Sequence, residues 1–92
     1  MLERTVEVAN QQIKVKQRLD LSHAGTVWDG ALILISYLDY NTEKASTMLK
    51  GKTILEVGSG TGITGLATIA FEPKHVYLTD LPEYVSLIQE NI

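Results

Sequence analysis

The sequence predicts an α/β fold with two parallel strands, and three observations point to it. Residues 53–57 are mostly apolar and β-branched, which is typical of a short strand covered on both faces. Four glycines follow within eight residues, and apolar residues then recur at helical spacing. Residues 75–79 form a second apolar stretch of strand type. This order of strand, glycine loop, helix and strand indicates a Rossmann-like unit.

Before this unit the chain predicts a β-hairpin, which we assign to residues 1–18. Residues 3–8 and 12–17 alternate between polar and apolar side chains, as the strands of a hairpin do. We place the turn at Asn10-Gln11, because asparagine tolerates the positive φ of a tight turn. The apolar residues that share one face of this hairpin are Val6, Val8, Ile13 and Val15.

Residues 19–92 are expected to form the α/β domain, which begins with a helix. Thr26 is predicted to cap this helix, because Asp29 follows three residues later in a variant of the capping box. The helix is predicted over residues 27–40, since its apolar residues recur at helical spacing. The predicted buried face consists of Ala31, Leu32, Ile35 and Leu38.

Three further elements follow from spacing and glycine placement. A second short helix, or a continuation of the first, is predicted over residues 43–49, and Gly51 then suits the left-handed conformation that ends a helix. The helix after the glycine loop is expected to bury Ile63, Leu66, Ala67 and Ala70. The last helix is expected to bury Val85, Ile88 and Ile92.

The glycine loop and the two acids near it indicate a ligand. Glycine allows the backbone N–H groups of residues 58–60 to face a ligand closely. Glu56 lies two residues before the first of these glycines, so a pyrophosphate would be repelled there and an ammonium or sulfonium group attracted. Asp80 ends the second strand about 20 residues further on, where an acid reaches ribose hydroxyls. A cationic ligand with an adenosine tail is therefore predicted, which describes S-adenosylmethionine.

Two other interpretations of these residues stay open. Gly60, Gly62 and Gly65 match the spacing of the dinucleotide fingerprint, so an NAD-binding Rossmann protein is an alternative, against which Glu56 argues. Glu56 could instead be a solvated strand end. Asp80 could cap the next helix, because Glu83 stands three residues later at capping-box spacing.

Three segments carry a resemblance to a known family. Glu56–Gly62 and Leu78–Pro82 resemble motif I and the acidic motif after it in the seven-strand S-adenosylmethionine methyltransferases, which have a Rossmann-like class I fold. Val27–Ala31 is similar to the Trp-Asp signature of the small non-histone protein-lysine methyltransferases. That branch includes the enzymes acting on valosin-containing protein and on Hsp70-type chaperones. The resemblance covers only the N-terminal part of such an enzyme.

The resemblance implies a protein-lysine N-methyltransferase whose substrate is a protein, such as a chaperone or an AAA ATPase. It implies no catalytic residue in this chain, because the family's substrate-side motif lies beyond residue 92. We therefore expect the fold to stop after the second strand–helix unit and this chain alone to be inactive. A truncated segment that acts only through interactions is the non-enzymatic alternative. The implied cofactor-binding residues are Trp28, Glu56, Gly58, Ser59, Gly60 and Asp80.

Composition argues against several other classes of protein. A net charge of −3 without a basic cluster offers nothing to attract nucleic acid. The chain has no cysteine, and His23 and His75 lie far apart, so no disulfide and no metal site is expected. No apolar run approaches the roughly 20 residues that span a bilayer. We expect a location in the cytoplasm, with the nucleus as a second candidate compartment.

Overall fold

The computed structural model describes residues 2–92, with the side chains of all of these except residues 2 and 22–24. The described residues form a mixed α/β structure, in which no helix is long and apolar enough to cross a bilayer. Its strands are β1 (Leu2–Val8), β2 (Gln11–Gln17), β3 (Thr53–Val57) and β4 (His75–Thr79). Its helices are α1 (Asp29–Tyr40), α2 (Thr42–Leu49), α3 (Ile63–Thr68) and α4 (Val85–Asn91). Short 3-10 helices cover Leu19–Gly25, Ile69–Phe71 and Pro82–Tyr84.

Strands β1 and β2 form the predicted antiparallel hairpin, although its turn differs from the prediction. The predicted turn at Asn10-Gln11 is wrong, because Gln11 already pairs with Val8 in the ladder. The turn consists of Ala9 and Asn10, whose φ angles are 49° and 64°. Two positive φ angles are the geometry of the two-residue turn that best matches the twist of the strands. Met1, the first residue of the predicted hairpin segment, lies outside the described residues.

The apolar face predicted for the hairpin packs against the helices. Val8 and Val15 are fully buried, and Val6 and Ile13 are partly buried beside them. Asp39 of α1 accepts a hydrogen bond from the N–H group of Ala9 at 2.8 Å, which holds the hairpin turn against that helix. The inner faces predicted for α1 and α3 are confirmed except at Leu32, which is not part of this core, and Ala31 and Ala70 are only partly buried beside it. The buried helical residues are Ile35, Leu38, Ala45, Ile63, Leu66, Ala67 and Phe71.

Helix α1 begins later than predicted. Thr26 is not its N-cap, because the first helical residue is Asp29 and the N-cap position is occupied by Trp28. The N–H group of Val27 donates to the side-chain oxygen of Gln17 at 2.8 Å. Trp28 itself has extended backbone angles, with φ −88° and ψ 153°, so the helix starts only at Asp29. The bond from Val27 holds the chain before Trp28 against the hairpin.

Strands β3 and β4 lie parallel, with α3 as the connection between them. The left-handed residue predicted before β3 is confirmed, since Gly51 has a φ of 71°. The expectation that β3 is covered on both faces is wrong for the described residues, because Leu55 and Val57 are 65% and 82% exposed. The opposite face, which carries Ile54 and Glu56, is half-buried. Only this second face packs toward α3.

Helix α4 buries a different face from the predicted one. Leu87 is fully buried, although it was not among the residues predicted to face inward. The side chain of Asn91 bonds to the backbone of Lys16 in β2, and this contact fixes the rotation of the helix about its axis. Of the three residues predicted to face inward, Ile88 is buried, and the exposed ones are Val85 and Ile92.

Candidate functional site

A cavity of about 440 Å³ lies between the start of α1 and the loop that joins β3 to α3. Its size falls in the range of small-molecule sites, about 300–1,000 Å³. The predicted cofactor-binding residues all line this one cavity, and they are Trp28, Glu56, Gly58, Ser59, Gly60 and Asp80. The structure therefore brings all six residues together at one site. Their roles in binding stay predictions.

The glycines of the loop serve two different purposes. Gly58, Gly60 and Gly62 have φ angles of 73°, 58° and 88°, a left-handed conformation that residues with a Cβ rarely adopt. Gly65 is instead required for space. A Cβ at Gly65 would overlap the side chain of Leu78 and lie 3.0 Å from Glu56 Oε1. The start of α3 is therefore packed directly onto the two strands, next to the cavity.

Most N–H groups of the loop are bonded within the chain. Ser59 donates its N–H to the carbonyl of Thr79 at 2.8 Å, and its hydroxyl accepts the N–H of Thr79 at 3.0 Å. Gly60 donates its N–H to Asp80 Oδ2 at 2.7 Å. The expectation that the N–H groups of residues 58–60 all face a ligand is therefore wrong for Ser59 and Gly60. Their partners lie on the next strand, which local sequence pattern does not reveal.

Asp80 connects the end of β4 to the glycine loop. Its Oδ2 accepts from Gly60, and its Oδ1 accepts from the N–H group of Leu81 at 2.8 Å. The predicted capping box is wrong, because Leu81 is the N-cap of the following 3-10 helix and the exposed Glu83 lies inside it. Each carboxylate oxygen can accept a second hydrogen bond. Asp80 thus retains the capacity to accept hydroxyl groups of a ligand in the cavity.

Glu56 carries the least satisfied polar atom of the site. Its Oε1 is buried and accepts no hydrogen bond from any described residue. Burial raises the pKa of the Glu56 carboxyl above its usual range and outweighs the opposing effects of Ser59 and of the Gly65 backbone, and the charge of Asp80 adds to the rise. The interpretation of Glu56 as a solvated strand end is therefore wrong. A buried carboxylate oxygen without a partner is costly, and a cationic donor would satisfy it.

Trp28 forms the wall of the cavity on the side of α1. Its carbonyl accepts the N–H group of Ala31 at 3.0 Å, which begins the helix and fixes the place of Trp28 at the cavity. More than half of its surface is exposed, so it is not a core anchor. Ala31 and Leu34 line the same cavity and were not predicted. Their spacing of three and six residues from Trp28 is the sequence signal that indicates them.

The chemistry of the lining suits a cation more than a phosphate. Glu56 and Asp80 contribute two carboxylates, and no lysine, arginine or histidine lines the cavity among the described residues. The cavity lies at the carboxyl ends of parallel strands, the usual ligand site of α/β sheets. A pyrophosphate would meet repulsion there, whereas an ammonium group and sugar hydroxyls would find acceptors. In the part of the chain that the structure describes, no three acidic or histidine side chains gather in a metal-binding group.

The sequence is similar to a family of enzymes. A family model described as lysine methyltransferase matches residues 7–92. EEF1A lysine methyltransferase 3 of Xenopus tropicalis is 42% identical over 73 residues, which are 79% of this chain and 30% of that protein. The protein of the same name from Mus musculus is 39% identical over 72 residues, 78% of this chain and 29% of that protein.

A third relative carries a more general name. Protein N-lysine methyltransferase METTL21A of Danio rerio is 33% identical over 86 residues, which are 92% of this chain and 37% of that protein. The similarity therefore extends over most of this chain. The chain itself spans about a third of the length of these relatives.

Proposed function

Because the chain belongs to the lysine methyltransferase family, we propose that it binds S-adenosylmethionine in the cavity beside the glycine loop. The observation that carries the proposal is Glu56 Oε1, which is buried and has no hydrogen-bond donor among the described residues. The ammonium group of the methionine part would supply both a donor and the opposite charge. The acidic lining, without a basic residue, speaks against NAD as the ligand.

Each of the six predicted residues has a role in this proposal. Glu56 holds the ammonium group, and the backbone of residues 58–60 lies against the methionine part. Asp80 accepts the ribose hydroxyls while it keeps the bond from Gly60. Trp28 closes the cavity on the side of α1, where its ring would exclude water from the bound cofactor. These roles follow from the chemistry of the residues that line one cavity.

The bound cofactor would supply a methyl group on a sulfonium for transfer to a neutral lysine amine. The residues of this chain would contribute by binding and orientation, since alignment carries most of such a transfer. Glu56 and Asp80 would hold the two ends of the methionine–ribose portion, so that its position along the loop is set. None of the described residues is proposed to accept the proton of the amine.

The proposal extends to the complete protein as a protein-lysine N-methyltransferase. We propose that β3, α3 and β4 are the first parallel unit of a Rossmann-like class I sheet. The names of two relatives include EEF1A, so we propose EEF1A as a candidate substrate. A chaperone or an AAA ATPase stays a prediction from the family resemblance. The cytoplasm, with the nucleus as a second compartment, is the proposed location.

Calorimetric titration of the 92-residue chain tests the ligand. We expect binding of S-adenosylmethionine and of S-adenosylhomocysteine, which has the same ammonium and ribose groups. We expect no binding of NAD. Glu56→Gln should weaken binding of S-adenosylmethionine by on the order of tenfold, because the ammonium group loses a charged acceptor.

Glu7→Gln is the matched control, since it removes one carboxylate from the exposed face of the hairpin. It should leave the affinity unchanged. NAD binding more tightly than S-adenosylmethionine would contradict the proposed ligand. Equal affinity of the wild-type and Glu56→Gln chains would contradict the role of Glu56.

A further inference from the structure

Asn91, in the last turn of α4, joins three elements that lie far apart in the sequence. Its Oδ1 accepts the N–H group of Lys16 at 2.7 Å, and its Nδ2 donates to the Lys16 carbonyl at 3.1 Å. The same Nδ2 donates to the carbonyl of Thr61 at 2.9 Å. Helix α4 is thereby bonded to the hairpin and to the glycine loop through one side chain.

One orientation of the Asn91 carboxamide satisfies all three backbone groups. The two carbonyls need donors and the N–H group of Lys16 needs an acceptor, so Nδ2 and Oδ1 cannot be exchanged. Towards Lys16 the carboxamide presents the acceptor and donor that a neighbouring strand would present. The second hydrogen of Nδ2 is then directed to Thr61.

Within the loop, the Thr61 hydroxyl accepts the N–H group of Ile63 at 3.4 Å, whereas its carbonyl is bonded from outside the loop. Thr61 lies between Gly60 and Gly62, which both have positive φ, and glycine has the widest conformational freedom of all residues. Its side chain is only 2% exposed and lines the cavity. Ser59 and Gly60 are bonded to Thr79 and Asp80, at and just after the end of β4. The Thr61 carbonyl is instead bonded to Asn91.

We infer that Asn91 is a positioning residue for the cavity, because it fixes Thr61 relative to the hairpin. None of the described hairpin residues lines the cavity. It supports the site indirectly, through the backbone of Lys16. The identity of the ligand in this inference rests on the proposed function, whereas the fixing of the loop does not.

The test compares Asn91→Asp and Asn91→Ala with the wild-type chain. Asn91→Asp keeps an acceptor for the N–H group of Lys16 but cannot donate to the carbonyl of Thr61. Gln89→Ala, on the exposed side of the same helix, is the matched control. Lys16→Ala is a second control, because it removes the side chain and keeps both backbone bonds.

Amide hydrogen exchange of the ligand-free chains, followed by NMR, reads the loop directly. The amides of Gly62 and Leu66 bond to carbonyls at the loop and at the start of α3. We expect both Asn91 variants to lower the protection of these two amides by about tenfold more than that of the β1–β2 ladder. Both controls should match the wild type. If the Asn91→Ala chain does not fold, the exchange of the Asn91→Asp chain alone tests the inference.

Titration with S-adenosylmethionine provides the second measurement. Both Asn91 variants should bind it on the order of tenfold more weakly than the two controls. A uniform loss of protection along the chain would show an effect on global stability alone and overturn the inference. Wild-type protection and affinity in both variants would overturn it as well. Should the wild-type chain bind no S-adenosylmethionine, the proposed function fails, and the exchange comparison alone decides on Asn91.

Discussion

Asp80 and Gly60 are joined by a hydrogen bond of 2.7 Å from the loop N–H group to Oδ2. The carboxylate that we propose to bind the ribose therefore also holds the glycine loop against the end of β4. One side chain has two roles, one in the free chain and one in the complex. Substitutions can separate them in part, because a neutral carboxamide still accepts one backbone N–H group whereas the proposed ligand site uses a charged acceptor.

Asp80→Ala should weaken binding of S-adenosylmethionine by about 1–3 kcal/mol, the range for hydrogen bonds to a charged group. It should also lower the free energy of unfolding by about 1 kcal/mol, because the N–H group of Gly60 loses its acceptor. Asp80→Asn keeps one of the two acceptor oxygens, so stability should fall less than in Asp80→Ala, while affinity falls. Calorimetry and urea unfolding measure the two effects. With Glu83→Gln as control, unchanged affinity of Asp80→Ala would leave Asp80 only its role in the loop.

The raised pKa of Glu56 predicts a pH dependence of stability. Between the ordinary carboxyl pKa of about 4.3 and the raised value, the native chain holds a proton that the unfolded chain has lost. The free energy of unfolding contributed by this group therefore falls as the pH rises through that window, and it stays low at pH values above the window. The Glu56→Gln chain should not show this decrease in the free energy of unfolding. It should be more stable than the wild type at pH 7.

Urea unfolding of wild-type and Glu56→Gln chains at a series of pH values measures this effect. Glu7→Gln, which removes an exposed carboxylate from the hairpin, should keep the wild-type profile. Parallel profiles for the wild type and Glu56→Gln would mean that Glu56 does not titrate with a raised pKa.

Gly65→Ala should destabilise the chain by about 1–3 kcal/mol, the usual cost of overpacking. The added methyl group would overlap the side chain of Leu78 and approach Glu56 Oε1. Gly30→Ala is the matched control, because a Cβ there has no heavy atom within 4 Å outside its own surroundings in α1. It should be neutral or stabilise by up to about 1 kcal/mol, since alanine favours the helix. Thermal unfolding that ranks the two variants the other way would contradict this packing.

Ala9→Gly should stabilise the hairpin turn by up to about 1 kcal/mol. Alanine at a φ of 49° is strained, and glycine removes the strain although it makes the unfolded chain more flexible. Ala45→Gly, the same change in a buried helical position of α2, should instead destabilise by about 1 kcal/mol. Equal losses of stability in both variants, measured by urea unfolding, would show that the turn is not strained.

Local pattern was sufficient to predict the part of the fold that positions the site. The strand, the glycine loop and the start of α3 are consecutive in the chain, so their residue types report on them directly. The place of Asp80 followed from a parallel connection of ordinary length. For this reason Glu56, Gly58, Ser59, Gly60 and Asp80 line one cavity, whereas the place of Trp28 in it was predicted only from the family resemblance.

Contacts between distant residues explain what the pattern did not predict. The turn at Ala9 is held by Asp39, 30 residues away, and an alanine gives no signal of a positive φ. In α4, Ile88 can share an inward face either with Ile92 or with Leu87. Helical spacing alone favoured the face that contains Ile92. The bond from Asn91 to β2 selects the other face. Periodicity cannot choose between them, because it contains no information on the partner surface.

The hydrogen bonds between Asn91 and Lys16 also have a consequence for the kinetics of folding. They join residues that are 75 positions apart, so a very long loop must close before they form. We expect this contact to be absent from the folding transition state. Substitutions at Asn91 should then accelerate unfolding and leave the folding rate nearly unchanged. The glycine loop would accordingly reach its final position late, after the hairpin and the parallel strands have formed.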